Sequence, residues 1–101
     1  MWLFSMFDLP VDDAKARRQY ATFRNALIRE GFSMLQYSVY ARHFASEEAA
    51  TAQRRRLRAA VPPRGQVRFL AVTDRQFAKM EVHFGQTAAP AELPPAQMLL
   101  F

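Results

Sequence analysis

Cysteine is absent from all 101 residues, which excludes a disulfide framework, a thiol nucleophile and a zinc–thiolate centre. Glycine is scarce, with three in the chain, and none falls in a phosphate-cradling loop. The two histidines, His43 and His83, have neither metal-ligand spacing nor a Ser-His-Asp order around them. Aromatic RNA-recognition motifs of the RNP type are missing. No apolar run approaches the roughly 20 residues of a membrane span. The stretch WLFSMF is too short for a signal peptide, and no basic residues precede it. The expected localisation is cytoplasmic, with no membrane association.

Half of the residues are hydrophobic and 13% are aromatic, a globular composition. The length fits one domain with a small core, which self-association would enlarge. The net charge is +5, and 12 of the 14 basic residues are arginine. The planar guanidinium fork suits phosphate oxygens better than a lysine point charge does. A nucleic acid is therefore one partner the composition suggests. An organism with arginine-biased codons is the other explanation, and composition leaves both open.

Residues 2–8 read as a strand, with Trp2, Phe4, Met6 and Asp8 on one face and Leu3, Ser5 and Phe7 on the other. Both faces are largely apolar, so both need cover. Asp12 or Asp13 caps a helix running to about Glu30, whose stripe is Ala16, Tyr20, Phe23 and Leu27. Gly31 stops it. GFSMLQYSVYARHF is one long strand or two strands bent near Gln36–Ser38, since no hairpin signal decides. Tyr37 and Tyr40 read as core or interface residues, and Ser38 as a structural hydroxyl in a strand. Ser46 caps an Ala-rich helix ending in RRRLRAA, and PPRG breaks it. QVRFLAVT is a strand, Asp74–Met80 a short helix or turn, and EVHF a short strand.

QTAAPAELPPAQ is polar and Pro-rich, an extended arm, and it leads to the hydrophobic MLLF. Four large apolar residues there require burial. The division is a core over 1–84 and an arm with a C-terminal strand over 85–101. The order β-α-β-β-α-β predicts an α+β fold of the ferredoxin-like kind, an antiparallel sheet with two helices on one face. Face-to-face dimerisation would cover the other.

On the residues alone, Asp8 is a turn residue, a helix cap or a metal ligand. Asp12 and Asp13 are better placed as caps. Arg17 and Arg18 oppose the helix dipole near its start, at roughly 0.3–1 kcal/mol each. Bound phosphate, or a salt bridge to Asp12 or Asp13, would offset this. Arg54, Arg55, Arg56 and Arg58 form the densest basic cluster. As a set they can follow a DNA backbone, independent of sequence and sensitive to salt. A solvated helix face is the plain alternative for each one.

FDLP, FRNALIREGFSMLQYSVYAR and VTDRQF together resemble the CRISPR-associated endonucleases of the Cas2 family, the smaller of two universal CRISPR adaptation proteins. The form GFSMLQYSVYAR is most similar to members from type II systems. The resemblance implies a ferredoxin-like homodimer whose C-terminal strand is exchanged to the partner's sheet. It also implies that the two Asp8 carboxylates face each other across the two-fold axis and bind one Mg²⁺. Two functions follow from it. One is a bridge in spacer acquisition, holding double-stranded DNA on its arginines and meeting the CRISPR integrase, the larger adaptation protein. The other is metal-dependent hydrolysis of DNA or RNA phosphodiesters with Asp8 as the catalytic residue. A toxin-like endoribonuclease of the related VapD type is the alternative.

Overall fold

The computed structural model describes residues 1–85. The elements are β1 (Trp2–Asp8), α1 (Ala14–Arg29), β2 (Ser33–Gln36), β3 (Val39–His43), α2 (Glu47–Arg58), β4 (Gln66–Val72) and α3 (Asp74–Ala78). The four strands form one antiparallel sheet in the order β2-β3-β1-β4. β1 is central, pairing with β3 from Trp2↔His43 to Met6↔Val39 and with β4 from Trp2↔Val72 to Asp8↔Gln66. This is the expected α+β, ferredoxin-like arrangement.

The period-two alternation of β1 divides the molecule. Leu3, Ser5 and Phe7 are buried under α1 and α2, while Trp2, Phe4 and Met6 are half-buried on the opposite side and Asp8 is exposed. The core gathers Leu3, Phe7, Phe23, Leu27, Tyr40 and Leu57. Phe23 and Leu27 are fully buried, each worth roughly 1.5–3 kcal/mol of burial. α1 forms as expected. Asp13 is its N-cap, accepting from the Ala16 amide at 2.7 Å, and the stripe Ala16, Tyr20, Phe23, Leu27 faces inward. It ends in a Schellman arrangement: the Phe32 amide reaches the Leu27 carbonyl at 3.0 Å and the Gly31 amide reaches Ile28 at 3.0 Å. That geometry needs the left-handed Gly31, at φ +87°. Ser46 caps α2 as expected, accepting from Ala49 at 3.1 Å.

Four details depart from the sequence reading or extend it. GFSMLQYSVYARHF is a hairpin, with Tyr37 and Ser38 at its tip between paired Gln36 and Val39. Ser38 supplies the left-handed residue, at φ +62°, that glycine or asparagine usually supplies. Glu81–Phe84 is not a strand, because no neighbouring backbone among the described residues pairs with it; its residues lie along the sheet face that carries Phe4 and Met6. α3, held by a Thr73–Gln76 capping box, sits on that same face and stacks Phe77 on Trp2 at 3.9 Å between ring centres. It therefore covers one end of the side that α1 and α2 leave open. Finally, the arm and C-terminal strand expected over 85–101 lie, from Gln86 onward, outside the described residues. No helix among the described residues is long and apolar enough to cross a membrane.

Candidate functional site

Asp8 closes β1 opposite Gln66, with its side chain exposed on the open face. Its backbone is held from two sides. The Phe7 amide donates to the Ser38 carbonyl at 3.0 Å, which ties the hairpin tip to the residue before Asp8. On the other side, Gly65 packs against the Asp8 backbone. A Cβ there would come 2.6 Å from the Asp8 carbonyl oxygen, and its φ of +90° also requires glycine. The strand end is thus held, while its carboxylate has no hydrogen-bond or ion-pair partner among the described residues.

The other acids of this loop are engaged elsewhere. Asp12 pairs with Arg64 at 3.2 Å, and that hydrogen bond lowers its pKa. Asp13 caps α1 and lies 3.9 Å from the same guanidinium. Among the described residues no cluster of three or more His, Cys, Asp or Glu could hold a metal ion. One chain therefore offers one carboxylate. Two copies related by a two-fold axis through the open face would offer two hard oxygen donors, which fits Mg²⁺ with water completing its shell.

The face that carries Asp8 is apolar beyond it. Its face carries an apolar groove of about 590 Å³, lined by Phe4, Met6, Val39, Leu70, Val82 and Phe84 among others. Leu70 and Phe84 are half exposed, at 49% and 50%. Arg68, opposite Met6 on β4, shares this face and has no hydrogen-bond or ion-pair partner among the described residues.

The arginines singled out by sequence belong to the helix-covered side, so they do not converge on the Asp8 carboxylate. Arg17 donates to the Val11 carbonyl at 3.2 Å rather than to Asp12 or Asp13. Arg18 is exposed, with no partner among the described residues. In α2 the buried residues are Ala50, Gln53 and Leu57. Helical spacing then puts Arg54, Arg55 and Arg58 on one exposed flank and Arg56 on the other. Arg54 lines a hollow with Leu3 and Ala71, on the β4 side. Arg56 instead donates to the Gln53 carbonyl oxygen at 2.9 Å, which also accepts from Arg42 at 3.0 Å. Arg42 reaches on to the Glu30 carbonyl at 2.7 Å, joining the end of α1 to α2.

Tyr40 is core, as expected, and burial raises its pKa. Tyr37 is not: it is 75% exposed at the hairpin tip. Its ring stacks on Tyr20 with centres 6.1 Å apart, and the neighbouring Tyr20 hydroxyl raises its pKa. The Ser38 hydroxyl lies in the turn, 3.0 Å from the Tyr20 hydroxyl. QYSV looks like continuous strand, so no sequence signal announced this exposure. His43, on the sheet margin, meets Asp74 at 3.1 Å, and His83 is exposed.

A family model described as CRISPR associated protein Cas2 matches residues 1–80. A CRISPR-associated endoribonuclease Cas2 of Parvibaculum lavamentivorans is 50% identical over 101 residues, covering 100% of both chains. One from Flavobacterium psychrophilum is 37% identical over 101 residues, covering 100% of this chain and 88% of its own. Another, from Lacticaseibacillus rhamnosus, is 46% identical over 85 residues and 84% of each chain. In fold, the crystal structure of Streptococcus pyogenes Cas2 at pH 6.5 is similar at a TM-score of 0.64 and 13% identity, over 83% of this chain and 100% of that one.

Proposed function

The chain belongs to the CRISPR-associated Cas2 family, and from that premise we propose that it works in the cytoplasm as a homodimer in CRISPR spacer acquisition. The open sheet faces meet, and the two Asp8 carboxylates come together at the two-fold axis. The arginine-bearing helices stay outward to hold the phosphates of double-stranded DNA, and the dimer bridges that duplex to the CRISPR integrase.

One observation carries this reading: an exposed, rigidly held carboxylate at the rim of an unpartnered apolar face. A lone carboxylate is a poor metal site, and an apolar face invites a second copy. The same two-fold operation answers both needs.

The paired Asp8 residues would hold Mg²⁺ and give the dimer a second activity, hydrolysis of a phosphodiester. Bound there, Mg²⁺ supplies Lewis-acid polarisation of a phosphoryl oxygen and a water of lowered pKa. The chain's own part is to present the carboxylates and, through the apolar surface around them, to keep bulk water away. The relatives' names, CRISPR-associated endoribonucleases, support RNA as the polymer cleaved.

The test is incubation of native protein and Asp8→Ala with single- and double-stranded RNA and DNA, with Mg²⁺ and with EDTA. Cleavage is expected from the native protein in Mg²⁺ alone. Native cleavage that persists in Asp8→Ala would remove the role given to the pair. An absence of cleavage in both would remove the nuclease activity. The bridge is read separately, by co-sedimentation of integrase and duplex DNA with the protein.

A further inference from the structure

Tyr37 is an aromatic ring that water should not keep exposed without cause. It is the most exposed large hydrophobic side chain described, at 75%, yet it is not loose. A ladder of rings runs from the core to it: Phe23 meets Phe7 edge-on at 5.2 Å, Phe7 meets Tyr20 at 5.6 Å, and Tyr20 stacks on Tyr37 at 6.1 Å, 20° from parallel. The turn beneath it is fixed by the left-handed Ser38, whose hydroxyl bonds Tyr20 and whose carbonyl accepts from Phe7. One face of the ring is backed by Tyr20, and the side chain is otherwise open to solvent.

The helix that backs it is basic. Arg17, Tyr20 and Arg24 are spaced i, i+3 and i+7, one stripe of α1. Arg24 stands near enough to the Tyr40 hydroxyl to oppose the effect of burial on it. Arg17 uses one amino group on the Val11 carbonyl and retains other donors. A ring held against an arginine-bearing helix is what a single-stranded nucleic acid recognises: a base stacks on the ring and its flanking phosphates meet the cations. Duplex DNA presents no free base face, so it gains only the charges.

We propose that Tyr37, backed by Tyr20 on the stripe of α1 that carries Arg17 and Arg24, is a stacking site for an unpaired nucleotide. The site lies on the helix side of the hairpin, on the opposite face of the sheet from the Asp8 carboxylate, and each protomer carries a complete copy. It rests on the nucleic-acid-binding part of the proposed function and not on Asp8. Its role is to hold a single-stranded end or segment at the hairpin tip while the helices hold duplex.

The experiment is fluorescence anisotropy with labelled oligo-dT and oligo-U, run in EDTA so that cleavage plays no part, with relaxed circular duplex as competitor. Tyr37→Ala should weaken single-strand binding by about 5- to 150-fold, the loss of one stacked base. Tyr37→Phe should stay within about twofold, whereas Tyr37→Leu, apolar but without a π face, should weaken like alanine. Arg24→Gln should lower the log–log salt slope by about 0.7, one phosphate on a single strand. Equal losses on single strand and circular duplex, or unaltered single-strand affinity in Tyr37→Ala, would overturn the site. Strong binding by Tyr37→Leu would overturn stacking as its basis. Failure of these arms would leave the Mg²⁺ cleavage assay of the Asp8 pair unaffected.

Discussion

The two faces of β1 are written in one seven-residue strand, and they do opposite work. Leu3, Ser5 and Phe7 face the helices and are closed off within a single chain. Trp2, Phe4, Met6 and Asp8 face outward; among the described residues Phe77 of α3 covers the Trp2 end and the Glu81–Phe84 segment lies along Phe4 and Met6. The first face stabilises the monomer. The second is apolar enough to need a partner and ends in a charge that would be costly to bury unpaired.

The sharpest way to break this comparison is one substitution on each side. Phe23→Ala, in the closed core, should cost about 3–5 kcal/mol in urea unfolding. Phe4→Asp, on the open face, should leave a folded chain that light scattering at micromolar concentration reads as a monomer. A dimer that survives Phe4→Asp would place the interface elsewhere. A smaller effect separates the two flanks of α2. The triple change Arg54→Ala, Arg55→Ala and Arg58→Ala should reduce the salt slope of duplex binding by about 0.9 for each phosphate no longer neutralised. Arg56→Ala, which breaks the bond to Gln53, should cost about 1 kcal/mol of stability and alter the slope less. Equal slopes for the two sets would mean that the DNA track runs across both flanks.

The smallest effect concerns pH. The Arg64 hydrogen bond lowers the Asp12 pKa below its ordinary 3.8. Its folded value is thus below its unfolded one, so its stabilisation is present above pH 3.8 and is lost as the pH falls through the folded value. Both partners are exposed, so the effect is slight. Arg64→Ala should flatten the acid limb of thermal stability, measured between about pH 5 and 2. An unchanged limb would show that the pair contributes nothing in solution.

The α+β plan, both long helices and their caps were legible because alternation, the 3.6-residue stripe and Asp13, Ser46 and Gly31 are local signals that agree. The hairpin was not, because its left-handed residue is a serine held by Tyr20, a partner 18 residues distant in sequence. EVHF has strand composition, but composition does not supply a neighbouring strand. Asp8 was singled out by the resemblance carried on FDLP, the residues alone leaving it a turn residue, cap or ligand; its rigidity was not legible, because it depends on Gly65 arriving from the far side of α2. The arginines were visible as a run, yet the division of Arg56 from Arg54, Arg55 and Arg58 follows only from the buried side of α2.

Gln53 has a consequence for the field around the molecule. It is fully buried, and its one carbonyl oxygen steadies two guanidinium groups. A carboxylate there would grip Arg42 and Arg56 more strongly but would cancel one of their charges. A neutral amide fixes the pair and leaves both charges to act at long range. The attraction felt by an approaching polyanion, and with it the rate of encounter, is thereby preserved at the modest expense of a weaker anchor.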